Sequence, residues 1–238
     1  MGKIYNSYMV EEKIEELGGA EANESHMREI GYSEAFCGTQ YRRANAVGIM
    51  MAIFQQTTGI NVIFLYSNTV FANIGWKPQK ISGIIGIVNW LTTIVGILLL
   101  VKYGRRILML YGNFFITITL CLTGVFSLMG WNVMVIAMTF AFISFFEFTS
   151  GPITWLYMSE ILQDKTQSIA TMLNWSVNLG ISWGIPHLLE AIGDDKIGYI
   201  FLFFGIFTAF ATVFVYFFML ETKGKTPGEI EEMYSSDK

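Results

Sequence analysis

One carboxylate and a set of carboxamides stand inside apolar runs of this chain, where such side chains are costly unless paired or turned toward water. Glu147 lies about 14 residues into the run 133–157. Gly151 and Trp155 follow at i+4 and i+8, which on an uninterrupted helix turns a carboxylate, a small residue and an amphipathic ring toward one side. Pro152 removes a backbone donor and crowds the preceding turn, so a kink is expected there. A second run carries Gln55, Gln56, Gly59, Asn61 and Tyr66. At 100° per residue the four polar side chains point near about 0°, 100°, 240° and 20°. Either that helix is broken near Gly59, or protein and water surround it. Carboxamides both donate and accept hydrogen bonds, which suits a neutral polyol whose hydroxyls need both. Further runs carry Asn89, and Asn174 with Asn178 one turn apart beside Trp175. Gly180 and Gly184 form a small-xxx-small pair, read as helix packing.

Other chemistry finds little support. His26 and His187 have no partner motif, and no nucleophile, base and oxyanion donors are grouped, so the chain is not read as an enzyme. Cys37 and Cys121 are too far apart for a zinc spacing or a disulfide framework, and no metal or cofactor is expected. Nucleic-acid binding would want a basic stripe, which is missing. Asn23-Glu24-Ser25 and Asn174-Trp175-Ser176 match the glycosylation pattern by chance, being expected in the cytosol and in a membrane span. The first residues are polar and acidic, unlike a signal peptide.

The elements that must hold these residues are membrane helices. Of 238 residues, 53% are apolar and only 14% charged, against about 25% charged in a soluble domain; mean hydropathy is +0.48. A span needs about 20 apolar residues, and six runs qualify: 44–71, 81–100, 107–129, 133–157, 169–189 and 199–220. Residues 1–40 read as a cytosolic linker with short amphipathic helices over 11–17 and 29–36, residues 41–221 as a six-helix domain, and 222–238 as a cytosolic tail. The side holding both tails carries twelve lysines and arginines and the opposite side three, which places both termini in the cytosol. The first and fourth spans are the two most interrupted, and the second and fifth carry the asparagines. Such matched interruptions belong to three-helix inverted repeats with a midplane site.

In this order the residues resemble the sugar porter family of the major facilitator superfamily, specifically its C-terminal six-helix half. Gln55-Gln56-Thr57-Thr58-Gly59-Ile60-Asn61 with Tyr66-Ser67 resembles the seventh-helix signature, and Gly104-Arg105-Arg106 the loop between helices eight and nine. Gly151-Pro152-Ile153-Thr154-Trp155 with Ser159-Glu160 resembles the tenth-helix motif, Asn174-Trp175 the eleventh, and Glu221 to Thr226 the motif after helix twelve. The resemblance implies an all-α membrane protein whose six transmembrane helices form one half of a major facilitator fold, as two three-helix inverted repeats. It further implies transport of a hexose or related sugar by alternating access, as uniport or proton symport. Gln55, Gln56, Asn61, Asn89, Glu147, Trp155 and Asn178 match positions lining the sugar cavity, with Gly59, Gly151 and Pro152 as hinges. Arg105, Arg106, Glu160 and Glu221 match a cytoplasmic charge network.

Three departures fall in that network. Val101 stands where an acid is usual, the arginine expected after Glu160 is missing so that Lys165 is the remaining cation, and Leu220 replaces a proline before Glu221. The other six helices are also not in this sequence. The expected partners are therefore a sugar, the bilayer, and an N-terminal six-helix half, a second copy or another membrane subunit. A non-transporting scaffold, sensor or assembly subunit is the alternative reading.

Overall fold

The computed structural model describes residues 31–73 and 78–235. The helix expected over 11–17 and most of the first loop lie outside them. Helix α1 (Tyr32–Cys37) leads into α2 (Arg42–Thr57), α3 (Ile60–Asn73), α4 (Pro78–Tyr103), α5 (Arg105–Leu128), α6 (Asn132–Phe148), α7 (Ser150–Ile161) and α8 (Asp164–Ile192). A 3-10 turn (Asp194–Lys196), α9 (Ile197–Phe218) and α10 (Pro227–Ser235) complete the described chain.

Arg42–Tyr66 and Asn132–Ile161 each run as one span despite an internal break, and with Gly83–Tyr103, Arg105–Leu128 and Ile197–Phe218 they make, among the described residues, five helices apolar and long enough to cross a membrane. The sixth expected span falls in α8, whose 29 residues exceed the needed length at about 1.5 Å per residue. Its asparagines, serines and glycines keep it from the same apolarity.

The two breaks have local causes. The Thr57 and Thr58 hydroxyls donate to the carbonyls of Phe54 and Gln55; the Phe54 carbonyl still accepts the Thr58 N–H, but the Gly59 N–H turns to Gln56, so at Gln55 the hydroxyl takes the place of the ladder bond. Gly59 follows at φ 78°, a left-handed conformation that favours glycine; a Cβ there would also lie 3.1 Å from Phe204. In the fourth span Pro152 cannot donate to Phe148, and its ring crowds that carbonyl. The chain breaks at Thr149 (φ −134°, ψ −91°), whose hydroxyl donates to the Phe145 carbonyl at 2.6 Å.

Two apolar layers fill the bundle. One contains Ile63, Ile116, Phe142 and Phe201; the other, nearer α10, contains Met51, Met109, Ile153 and Val215. Between them, on the helices that reach both layers, come polar residues: Gln55, Gln56, Asn113, Thr149, Ser150, Asn174 and Thr208, none more than 7% exposed. The expected glycine packing is displaced. Among the described residues nothing lies within 4 Å of a Cβ built on Gly180 or Gly184, because α8 meets α2 through Ala170 and Asn174 and turns those glycines aside. The close approach is instead between α5 and α9, where a Cβ on Gly124 would lie 2.7 Å from the Gly198 carbonyl oxygen and one on Gly198 2.6 Å from that of Gly124. Large apolar side chains such as Trp90, Val101, Trp175, Trp183 and Phe217 project outward, a surface suited to lipid or a further helical wall.

Candidate functional site

Both helix breaks meet in the polar layer, and carboxamides knit them together. Gln55 on α2 donates from Nε2 to the carbonyls of Ser150 (3.0 Å) and Gly151 (3.1 Å) at the start of α7. Its Oε1 accepts from Asn174 on α8 at 2.8 Å, and Asn174 also donates to the Ala52 carbonyl at 2.8 Å. Asn174 Oδ1 accepts from Gln56 Nε2 at 2.9 Å. Gln56 Oε1 then accepts from Asn61 (2.8 Å) and Asn178 (3.3 Å). Three stretches distant in sequence, 52–61, 150–151 and 174–178, thus share one amide network.

Counting donors and acceptors ranks these residues. A carboxamide offers two N–H donors and two acceptor sites. Gln55 has spent both donors, and Gln56 has filled both acceptor sites. Asn61 keeps one N–H and its carbonyl oxygen, and Asn178, whose Oδ1 accepts from Ser182 at 3.3 Å, keeps one N–H and one acceptor site. Both asparagines are part-exposed, whereas Gln55 and Gln56 are buried. Asn61 and Ser182 line one open cavity of about 310 Å³ with Val62, Phe64, Leu65, Ile181 and Ile185. The free hydrogen-bonding capacity that a solute can reach therefore sits at the rim of the network, while the one unspent Gln56 N–H lies buried in a centre that holds the helices together.

Other expected site residues lie apart. The break at Thr149 separates Glu147, on α6, from Gly151 and Trp155, on α7, so the one-sided arrangement expected of a continuous helix does not form. Glu147 faces α4 and accepts from Thr93 Oγ1 at 3.2 Å, where Gly96 lets α4 approach closely: a Cβ there would lie 2.9 Å from the Glu147 carbonyl oxygen. Trp155 projects outward at 36% exposure. Asn89 is not joined to the amides; among the described residues its buried Oδ1 has no partner.

At the α10 end the four expected charged residues do assemble, without the missing acid and arginine. Arg105 donates from Nε (3.2 Å) and Nη2 (2.6 Å) to Glu160 Oε1, and Thr222 donates to Glu160 Oε2 at 2.6 Å. Glu221 accepts the backbone N–H groups of Arg105 and Arg106, both at 3.0 Å, so its charge meets the positive end of α5. Gly104 (φ 86°) makes room, since a Cβ there would lie 2.7 Å from Glu221 Oε2. The Arg106 guanidinium departs from expectation: it bonds the Tyr216 carbonyl at 2.7 Å rather than an acid. Leu220, standing where proline was expected, uses its N–H to donate to Tyr157 Oη at 3.0 Å, while Tyr157 donates to the Leu220 carbonyl at 2.8 Å. Tyr234 of α10 joins the same hydroxyl. Burial holds the Tyr234 hydroxyl above the ordinary tyrosine value.

Sequence reasoning left Ser150, Asn113, Thr93, Tyr157 and Tyr234 out of the site. Only Asn113 carried a signal, as an amide in mid-span. Asn174, noted there for its motif, proves to be the centre of the network.

The chain matches the family model described as sugar (and other) transporter over residues 5–234. It is 31% identical to the probable glucose transporter rco-3 of Neurospora crassa, over 93% of this chain and 41% of that protein. Its fold matches the proton:xylose symporter XylE bound to 6-bromo-6-deoxy-D-glucose with a TM-score of 0.74 at 26% identity, covering 80% of this chain and 42% of that one. Against the inward-open conformation of XylE from E. coli, at 28% identity, the TM-score falls to 0.67 with 80% and 41% covered. The chain thus spans less than half the length of these relatives.

Proposed function

Since the chain belongs to the sugar (and other) transporter family, we propose that it is the C-terminal half of a membrane transporter that moves a hexose or related sugar by alternating access. The observation that carries this reading is the amide network at the meeting of two helix breaks, between two apolar layers, with unspent donors and acceptors on Asn61 and Asn178. A sugar presents hydroxyls that both donate and accept, and the partly exposed asparagines answer both needs. Helix breaks let backbone and side chains line a polar cavity at membrane depth without exposing unpaired groups to lipid. Gln55, Gln56, Asn61 and Asn178 bind or frame the sugar; Glu147, Asn89 and Trp155 flank its path, and Gly59, Gly151 and Pro152 mark the hinges.

A second wall is required, because the substrate of such a transporter passes between two halves that rock about a fixed site. That wall is an N-terminal six-helix half, with a second copy or another membrane subunit as the alternatives. Both termini face the cytosol, so the Arg105–Glu160 and Glu221 contacts form a cytoplasmic latch. The test is uptake of labelled D-glucose and D-xylose into liposomes holding this chain with its completing half. Saturable, stereoselective uptake is expected there, and none by the chain alone as a monomer. Sugar binding without uptake would instead mark a non-transporting membrane subunit.

A further inference from the structure

One turn of α5 lies directly against the break between α6 and α7. A Cβ built on Gly112 would fall 2.2 Å from Thr149 Cγ2 and 2.3 Å from its Oγ1. Beside it Ser150 Oγ donates to Asn113 Oδ1 at 2.6 Å and lies 3.7 Å from Met109 Sδ. Asn113 is 3% and Ser150 1% exposed, so neither reaches a solute. An apolar pair would fill the same space without the cost of desolvating an amide and a hydroxyl. What the polar pair adds is direction, because a hydrogen bond holds the first residue of α7 at one place on α5.

The Ser150 carbonyl is where Gln55 docks. Both Gln55 N–H groups are committed to α7, to Ser150 and Gly151. A carboxamide is planar, so a shift of those carbonyls turns Gln55 Oε1 as well. The turn passes to Asn174, then to Gln56, and so to Asn61 and Asn178. We propose that Asn113 and Ser150 are positioning residues for sugar binding, which fix the start of α7 on α5 and thereby aim the asparagines that meet the sugar. The inference rests on the sugar-transport reading above and assigns a role to two residues outside the cavity.

The test measures equilibrium binding of labelled D-glucose and D-xylose to the complete transporter and to Asn113→Leu, Ser150→Ala, Ser150→Thr and the Asn113→Leu/Ser150→Ala double variant. Thr119→Val is the control, since the Thr119 hydroxyl bonds only the backbone of its own helix. Loss of the bond should raise Kd about five- to tenfold in each single variant. The double variant should match the worse single, because both remove one interaction. Ser150→Thr, which keeps the hydroxyl, and Thr119→Val should stay within about twofold of the parent. Ser150→Ala deletes a single oxygen and carries the test if the bulkier change does not fold. Kd values within twofold of the parent, with or without a lower Tm, would overturn the inference by showing a role in packing alone. Effects that multiply in the double variant would overturn it too. A parent that binds neither sugar overturns the transport reading, and this inference with it.

Discussion

Asn174→Leu isolates the centre of the amide network with little change of volume. It removes three hydrogen bonds of 2.8 to 2.9 Å and leaves Gln55 Oε1 without its donor and Gln56 Nε2 without its acceptor. Interhelical hydrogen bonds in membranes average ~0.6 kcal/mol, so three sum to roughly 2 kcal/mol at the low end. Stranding buried amide groups costs ~1–3 kcal/mol each, and partial relaxation of Gln56 toward the cavity limits the total to about 5 kcal/mol. At ~2–4 °C per kcal/mol for a domain of this size, Tm should fall about 4–20 °C in detergent or nanodiscs. Asn178→Leu is the comparison: it loses two long contacts of 3.3 Å, to Gln56 and from the exposed Ser182, at a part-buried site and should cost about 1 kcal/mol or less. Sugar affinity should show the opposite order of directness. Asn178→Leu weakens binding while keeping Tm, and Asn174→Leu lowers both. A Tm for Asn174→Leu within 2 °C of the parent, or below it by no more than Asn178→Leu, would show that Asn174 is not the centre of the network.

Glu160→Ala leaves Arg105 and Thr222 without their shared acceptor, and we expect it to favour the inward-open state, read as faster labelling of cysteines placed beneath the latch; unchanged labelling would dissociate the ion pair from gating. Gly104→Ala combines positive φ with a Cβ 2.7 Å from Glu221, so a loss of at least ~1 kcal/mol is expected, measured as lower Tm, and a neutral outcome would contradict the close capping. Because the raised pKa of Tyr234 favours the neutral hydroxyl in the folded state, its contribution is fully present below the unfolded value of about 10 and is lost as pH rises through the folded value. Alkaline release of α10, followed by proteolysis of the tail, should therefore shift or vanish in Tyr234→Phe; identical profiles would remove the assignment. Asp195→Cys and Ser235→Cys in a cysteine-free background should label from outside and inside respectively with an impermeant reagent, and the reverse pattern would invert the proposed topology.

Much of this architecture is readable in the sequence because its causes are local. Span length follows from runs of apolar residues, and the two breaks follow from Gly59 and from Pro152, whose effects reach only a turn along the chain. The polar types suited to a polyol are legible for the same reason. Partner choice is not, since Gln55 and Asn174 lie 119 residues apart and meet only once α2 and α8 have a fixed rotation about their axes. That rotation decides which carboxamides are spent on holding helices and which keep free donors. It also turns Gly180 and Gly184 outward while Gly124 and Gly198 close against each other, although the small-xxx-small spacing singles out the first pair. Glu147 was conspicuous as a charge within a span, yet its separation from Trp155 depends on the angle of one peptide at Thr149. The charge cluster was legible as a set of residues, but not that Glu221 would cap α5 through backbone N–H groups. Composition determines that polar groups in this chain must be satisfied; only the packing of the helices decides by which neighbours.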